Sequence, residues 1–146
     1  MNKRNRIIAV DFDGVIAKYS GWQGVNKYEE PIPGAREFLN ELKNNGFYIM
    51  IFTQRMSLAD KKNFRSEKDR GVAIESLRAY LTAYNLPFDE IWTQNGKPPA
   101  DAFVDDRAVE CRPQFSPTAY NDALNNIHKI MIVGTKKQYD DVPTTV

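Results

Sequence analysis

Two aspartates stand one residue apart at the end of an apolar run, in I-I-A-V-D-F-D-G-V over residues 7–15. In a strand, alternation with a period of two puts Asp11 and Asp13 on one face and Phe12 on the other. Like charges at that spacing raise each other's pKa unless a cation lies between them or a proton is shared. The pattern therefore asks for a metal or for acid chemistry. A strand that runs into an acidic turn, with Asp-Gly as ordinary punctuation, carries the same letters. Only partners elsewhere in the chain separate the two.

Two other apolar runs end in polar residues. Residues 47–52, F-Y-I-M-I-F, have the length of a strand covered on both faces and stop at Thr53, Gln54 and Arg55. Ala102, Phe103 and Val104 lead into Asp105 and Asp106. Between the runs the spacing turns helical. Ala35, Phe38, Leu39 and Leu42 follow Pro33-Gly34 and stop at Asn44-Asn45-Gly46, and a second helical period runs from Val72 through Leu77 and Leu81 to Tyr84, before Pro87. Ile91 and Trp92 mark a short strand, and Asn95-Gly96 a turn. Ser116 as N-cap with Pro117 in the first helical position opens a helix through Tyr120, Ala123, Leu124 and Ile127, and residues 130–133 read as a last strand.

Strands separated by helices in this order predict an α/β fold, a Rossmann-like three-layer sandwich with a central parallel sheet and minimal or no cap. In such sheets ligands bind beyond the carboxyl ends of the strands, near the switch in strand order. The three polar endings, Asp11 and Asp13, Thr53, and Asp105 and Asp106, would then share one edge.

Converging carboxylates favour a hard divalent cation, and magnesium fits a site with a few carboxylates, waters and a phosphate. An aspartate beside it can attack phosphorus and form an aspartyl-phosphate. Asp11 is the expected nucleophile. Asp13 is the expected acid/base toward the leaving group and the attacking water, with its main-chain carbonyl a further metal ligand. Phosphoryl charge would be met by the Thr53 hydroxyl, backbone N–H groups and a lysine.

These residues resemble the four ordered motifs of the haloacid dehalogenase superfamily of phosphatases. D-F-D-G-V matches the first motif, I-F-T at 51–53 the second, Lys97 in G-K-P the third, and F-V-D-D at 103–106 the fourth. The resemblance implies nucleophile and acid/base roles for Asp11 and Asp13, a catalytic Lys97, phosphate binding near Thr53, Gln54 and Arg55, and magnesium held by Asp11, Asp13, Asp105 and Asp106. Lys97 lies eight positions before Asp105, where many members place a helix; this compact layout looks like the deoxyribonucleotidase-type branch. Lys61 and Lys62 are the other candidates for the lysine role. With room only for a flap at 17–33 and one polar segment plus helix in place of a large cap, the expected site is open or covered by a partner subunit, and the flap's Tyr19, Trp22 and Tyr28 either stack on substrate or pack the loop down.

At 146 residues the chain suits one domain over 1–135 with a tail at 136–146. Net charge is +1 with 27% charged residues, so nothing calls for nucleic acid, and no run is long enough to span a bilayer. The single cysteine, Cys111, forms no internal disulfide; it is expected as a small buried hydrophobe with no chemical role, in a cytoplasmic protein. The single histidine, His128, reads as a surface or packing residue. In the polar stretch 56–70, mixed signs predict a solvated face or a mobile loop rather than a nucleic-acid patch. The expected activity is magnesium-dependent phosphomonoester hydrolysis of a small phosphorylated substrate such as a nucleotide or sugar phosphate. A polynucleotide 3'-phosphatase and a non-catalytic magnesium or phosphate-binding module are the alternatives, and an oligomer is possible. Arg55 either clamps phosphate or forms an exposed salt bridge; Asp101 is either a further site carboxylate or a turn residue before its strand.

Overall fold

The apolar runs form four parallel strands in the order β3-β2-β1-β4. They are β1 (Ile7–Asp11), β2 (Tyr48–Phe52), β3 (Glu90–Ile91) and β4 (Ala102–Val104). The computed structural model describes residues 6–56, 67–94 and 96–134. Lys61, Lys62, Asn95 and the 136–146 tail lie outside the described residues. The chain divides into two compact units, Met1–Tyr19 with Gln23–Val104, and Ser20–Trp22 with Asp105–Val146.

In the first unit, β1 pairs with β2 from Ile7↔Tyr48 to Asp11↔Phe52, and with β4 from Ile8↔Ala102 to Val10↔Val104. Parallel neighbours need long connections, supplied by helix α1 (Ala35–Asn44) between β1 and β2 and helix α2 (Glu67–Ala83) between β2 and β3. The result is an α/β, Rossmann-like sheet. Gly34 caps α1 at φ 94°, a conformation open to glycine, and its carbonyl accepts the Phe38 amide at 3.0 Å. The helices bury Leu39 of α1 and Ala73, Leu77 and Leu81 of α2 with Ile8, Val10, Ile49 and Ile51 of the sheet. Each fully buried leucine adds on the order of 2 kcal/mol.

The amino ends of the strands are pinned by two aspartates. Asp89 accepts the Ile49 amide at 2.7 Å and pairs with Lys43 at 2.7 Å. Asp101 accepts the Ile7 amide at 2.8 Å while its own amide donates to the Ile7 carbonyl at 2.8 Å. Asp101 is thus the turn residue before its strand. It stands at the far end of β1 from Asp11, on the order of 13 Å away at the usual strand rise.

Several elements depart from expectation. Helix α2 starts five residues ahead of Val72, because its first turn is polar and carries no apolar signal. Within it Arg70 is buried, and its Nε and Nη2 donate to the Met56 carbonyl at 2.9 and 2.8 Å, so this residue of the polar stretch is not part of a solvated face. In the second unit, helix α3 (Ala119–Lys129) takes Thr118 as N-cap, not Ser116. The Ala119 amide bonds back to the Ser116 carbonyl at 3.3 Å, so Ser116 and Pro117 form a tighter turn ahead of the helix. Residues Ile130–Gly134 continue as a π-helical turn and make no strand. A four-residue apolar run cannot by itself distinguish strand from helix, and Met131 extends the helical spacing of Tyr120, Leu124 and Ile127. Cys111 is exposed, not a buried hydrophobe, and His128 is exposed. Among the described residues no helix is long and apolar enough to cross a membrane.

Phe12, Tyr28 and Tyr80 form an aromatic cluster behind β1, with Phe12 edge-on to Tyr28 at 5.7 Å and to Tyr80 at 5.3 Å. The Tyr80 hydroxyl donates to the Glu29 carbonyl at 2.6 Å. Burial, with smaller contributions from Tyr84 and Asp13, raises the Tyr80 phenol above its ordinary value of 10.0, and burial also raises Tyr28 and Tyr48. A raised folded-state pKa keeps its stabilisation below the unfolded value and loses it as pH rises, since the unfolded chain ionises first. The urea midpoint should therefore fall between about pH 9 and about pH 11, and Tyr80→Phe should flatten part of that fall while costing about 1 kcal/mol at neutral pH for the lost hydrogen bond. Equal slopes in wild type and variant would contradict this.

Candidate functional site

The chain passes from β1 to β2 to β3 on one side of the sheet and places β4 on the other, so strand order switches at β1. A crevice at the carboxyl end of β1 is where such sheets bind ligands. Asp11 closes β1 opposite Phe52, and Thr53 is the next residue along β2. On the other side Val104 pairs with Val10, and Asp105 is the next residue in the chain.

Beyond Asp11 the chain turns sharply. Phe12 is fully buried, and its carbonyl accepts the amides of Val15, Ile16 and Ala17 at 3.3, 2.9 and 3.0 Å. Gly14 has φ 83°, which a side chain would oppose. The Phe12 amide donates to Asp11 Oδ1 at 2.8 Å, fixing that carboxylate from its own backbone. The flap then leaves and returns as a short hairpin base, with the Lys18 amide donating to Glu30 and the Ile32 amide to Ile16. Tyr19 is buried, and Tyr28 packs against Phe12 and Tyr80. Tyr28 thus serves the packing alternative expected for flap aromatics.

After Thr53 the 3-10 turn Gln54–Met56 carries Arg55 inward. The Thr53 hydroxyl accepts the Arg55 amide at 3.2 Å and its carbonyl accepts the Met56 amide at 3.0 Å. As acceptor there, the hydroxyl retains its proton to donate. Gln54 is exposed. The Arg55 side chain is 4% exposed and makes a two-pronged ion pair with Asp13, Nε to Oδ2 at 2.7 Å and Nη2 to Oδ1 at 3.0 Å. Nη1 donates to the carbonyls of Gly24 and Val25 at 2.9 and 3.3 Å, and the guanidinium lies 5.1 Å from the Tyr28 ring centre. The salt bridge weighed for Arg55 is present, but buried where an exposed one was expected. Sequence reading missed its partner. The signal available was register: with Asp11 opposite Phe52, a turn after each strand brings Asp13 and Arg55 to the same height.

Lys97 is exposed, and its ammonium rests 4.4 Å from the Phe103 ring centre, which in turn meets Phe52 edge-on at 5.8 Å. The 92–101 connection that carries it has no helix among its described residues. In the second unit, Asp105 Oδ1 accepts the Arg107 amide at 2.8 Å. Asp106 is half-buried, and burial, followed by the charge of Asp105, raises its carboxyl above the ordinary value. Asp11 in the first unit, and Asp105 and Asp106 in the second, each present carboxylate oxygens, the donor type that suits a hard divalent cation rather than zinc or copper.

Removing one member of a buried ion pair leaves its partner's charge desolvated, whereas replacing both by apolar groups is often neutral. Asp13→Ala should cost about 3–5 kcal/mol in urea unfolding, and the double variant Asp13→Ala/Arg55→Met should recover part of that loss. Additive losses in the double variant would show that the pair is not coupled.

No protein-family model and no curated protein matches the chain. Among solved structures it is similar to a structural-genomics target from Vibrio cholerae, at 24% identity and TM-score 0.49 over 87% of this chain and 97% of that one. It is similar to a D,D-heptose 1,7-bisphosphate phosphatase from Burkholderia thailandensis, at 14% identity and TM-score 0.46 over 89% and 74%. A D,D-heptose 1,7-bisphosphate phosphatase from B. bronchiseptica, complexed with magnesium and phosphate, matches at 17% identity and TM-score 0.42 over 84% and 64%.

Proposed function

We propose that the chain is a magnesium-dependent phosphomonoester hydrolase that works through an aspartyl-phosphate on Asp11. The observation that carries this reading is the register of β1 and β2, in which Asp11 and the residue before Thr53 face each other at the switch in strand order. A nucleophilic carboxylate and a phosphate-binding hydroxyl thereby share one strand edge.

In the first step a carboxylate oxygen of Asp11 attacks phosphorus, and the bond to the leaving oxygen breaks with its electron pair. Asp13 gives that oxygen a proton. In the second step water attacks phosphorus and gives a proton to Asp13, while the bond to Asp11 breaks and inorganic phosphate departs. The Thr53 hydroxyl and the backbone beside Gln54 donate to the phosphoryl oxygens, and Lys97 adds positive charge. By resemblance to the four motifs, Asp11, the main-chain carbonyl of Asp13, Asp105 and Asp106 would be the magnesium ligands. The ion's contribution when bound is to neutralise charge on the phosphoryl group. The substrate expected is a small phosphomonoester such as a nucleotide or a sugar phosphate.

Purified protein should release phosphate from p-nitrophenyl phosphate with magnesium and stop on addition of a chelator. Asp11→Asn, which keeps size and hydrogen bonding, should lower kcat by on the order of 10³-fold or more while its circular dichroism matches wild type. Undiminished turnover in Asp11→Asn, or hydrolysis indifferent to magnesium, would overturn the proposal.

A further inference from the structure

We propose that Arg55 is a positioning residue: its fork fixes the Asp13 carboxylate, and its remaining arm latches the flap beside that carboxylate. The inference rests on the phosphatase reading for what Asp13 does, but its geometry stands without it. An arginine fork that meets both oxygens of a carboxylate sets the plane and rotation of that group, which a lysine ammonium cannot do. Here Nε and Nη2 take one oxygen each, at 2.7 and 3.0 Å. Each oxygen keeps a second lone pair for proton transfer.

The third nitrogen gives the pair its wider consequence. Nη1 donates to the flap carbonyls of Gly24 and Val25, 31 and 30 residues away in the chain. Gly24 adopts φ 121° where its carbonyl meets the guanidinium. Tyr28 lies against the same guanidinium, and Val25 packs on the core. One buried side chain therefore joins the turn after β2, the acid/base after β1 and the flap. At 4% exposure Arg55 is engaged from within the protein, which argues for this role over that of a phosphate clamp.

The test compares Arg55→Lys with wild type on two substrates and by hydrogen exchange. Formation of the aspartyl-phosphate sets kcat/KM, and proton donation matters there for a poor leaving group and little for a good one. Arg55→Lys should lose about 100-fold in kcat/KM on glycerol 2-phosphate, with a loss at least about tenfold smaller on p-nitrophenyl phosphate. The flap peptide spanning 24–30 should exchange its amides about fivefold faster or more in Arg55→Lys, and also in Asp13→Asn, where the charge pairing alone is removed. Equal losses on both substrates with a raised KM would make Arg55 a phosphate clamp and overturn the inference. Unchanged flap exchange in both variants would overturn it as well. Wild-type protein inactive on both substrates would end the phosphatase reading, and the exchange measurement would still decide the latch.

Discussion

A guanidinium almost wholly removed from water has to be met by a counter-charge and by carbonyls, and the carboxyl edge of this sheet is arranged around that requirement. Burying an ion pair is costly, and the cost is offset only when geometry is good and further hydrogen bonds absorb the remaining protons. Arg55 meets both conditions with the two oxygens of Asp13 and the carbonyls of Gly24 and Val25. The backbone that carries Arg55 is itself held. Thr53 closes the turn from its amino side, and Arg70 grips the Met56 carbonyl from α2. Arg55 from within the three-residue turn and Arg70 from α2 fix a segment too short to have a core of its own.

Phe12 makes the complementary arrangement on β1. Its ring fills the core behind the sheet while its carbonyl gathers three amides in front, so the chain reverses within a few residues of Asp11. The spacing of one residue between the aspartates follows from this. A buried ring between them anchors the turn, and the flanking carboxylates are left at the strand edge, one bonded to the Phe12 amide and the other to Arg55. Gly14 lets the turn close.

Much of this was legible in the sequence. The apolar runs, their polar endings and the helical spacings of α1 and α2 prescribe a parallel α/β sheet, because each is a property of periodicity and length. The polar first turn of α2 and the short run at 130–133 were not, since neither pattern distinguishes its conformation without the packing around it. At the site, the two aspartates asked for a metal or for acid chemistry. The fold meets Asp13 with Arg55 from the turn after β2. That pairing depends on the relative height of two strands, which no single segment encodes.

The same pairing bears on how the loop after β1 is held at the sheet edge. A loop of flap length, rich in glycine and proline, has a large conformational entropy to lose, and a hairpin base of a few hydrogen bonds does not hold its tip. Here the tip is held from below, by Arg55 at Gly24 and Val25 and by Tyr80 at Glu29. These anchors reach main-chain carbonyls, and Tyr28 is the flap side chain that packs against both of them. The loop and the Asp13 carboxylate are thereby held by the same side chain.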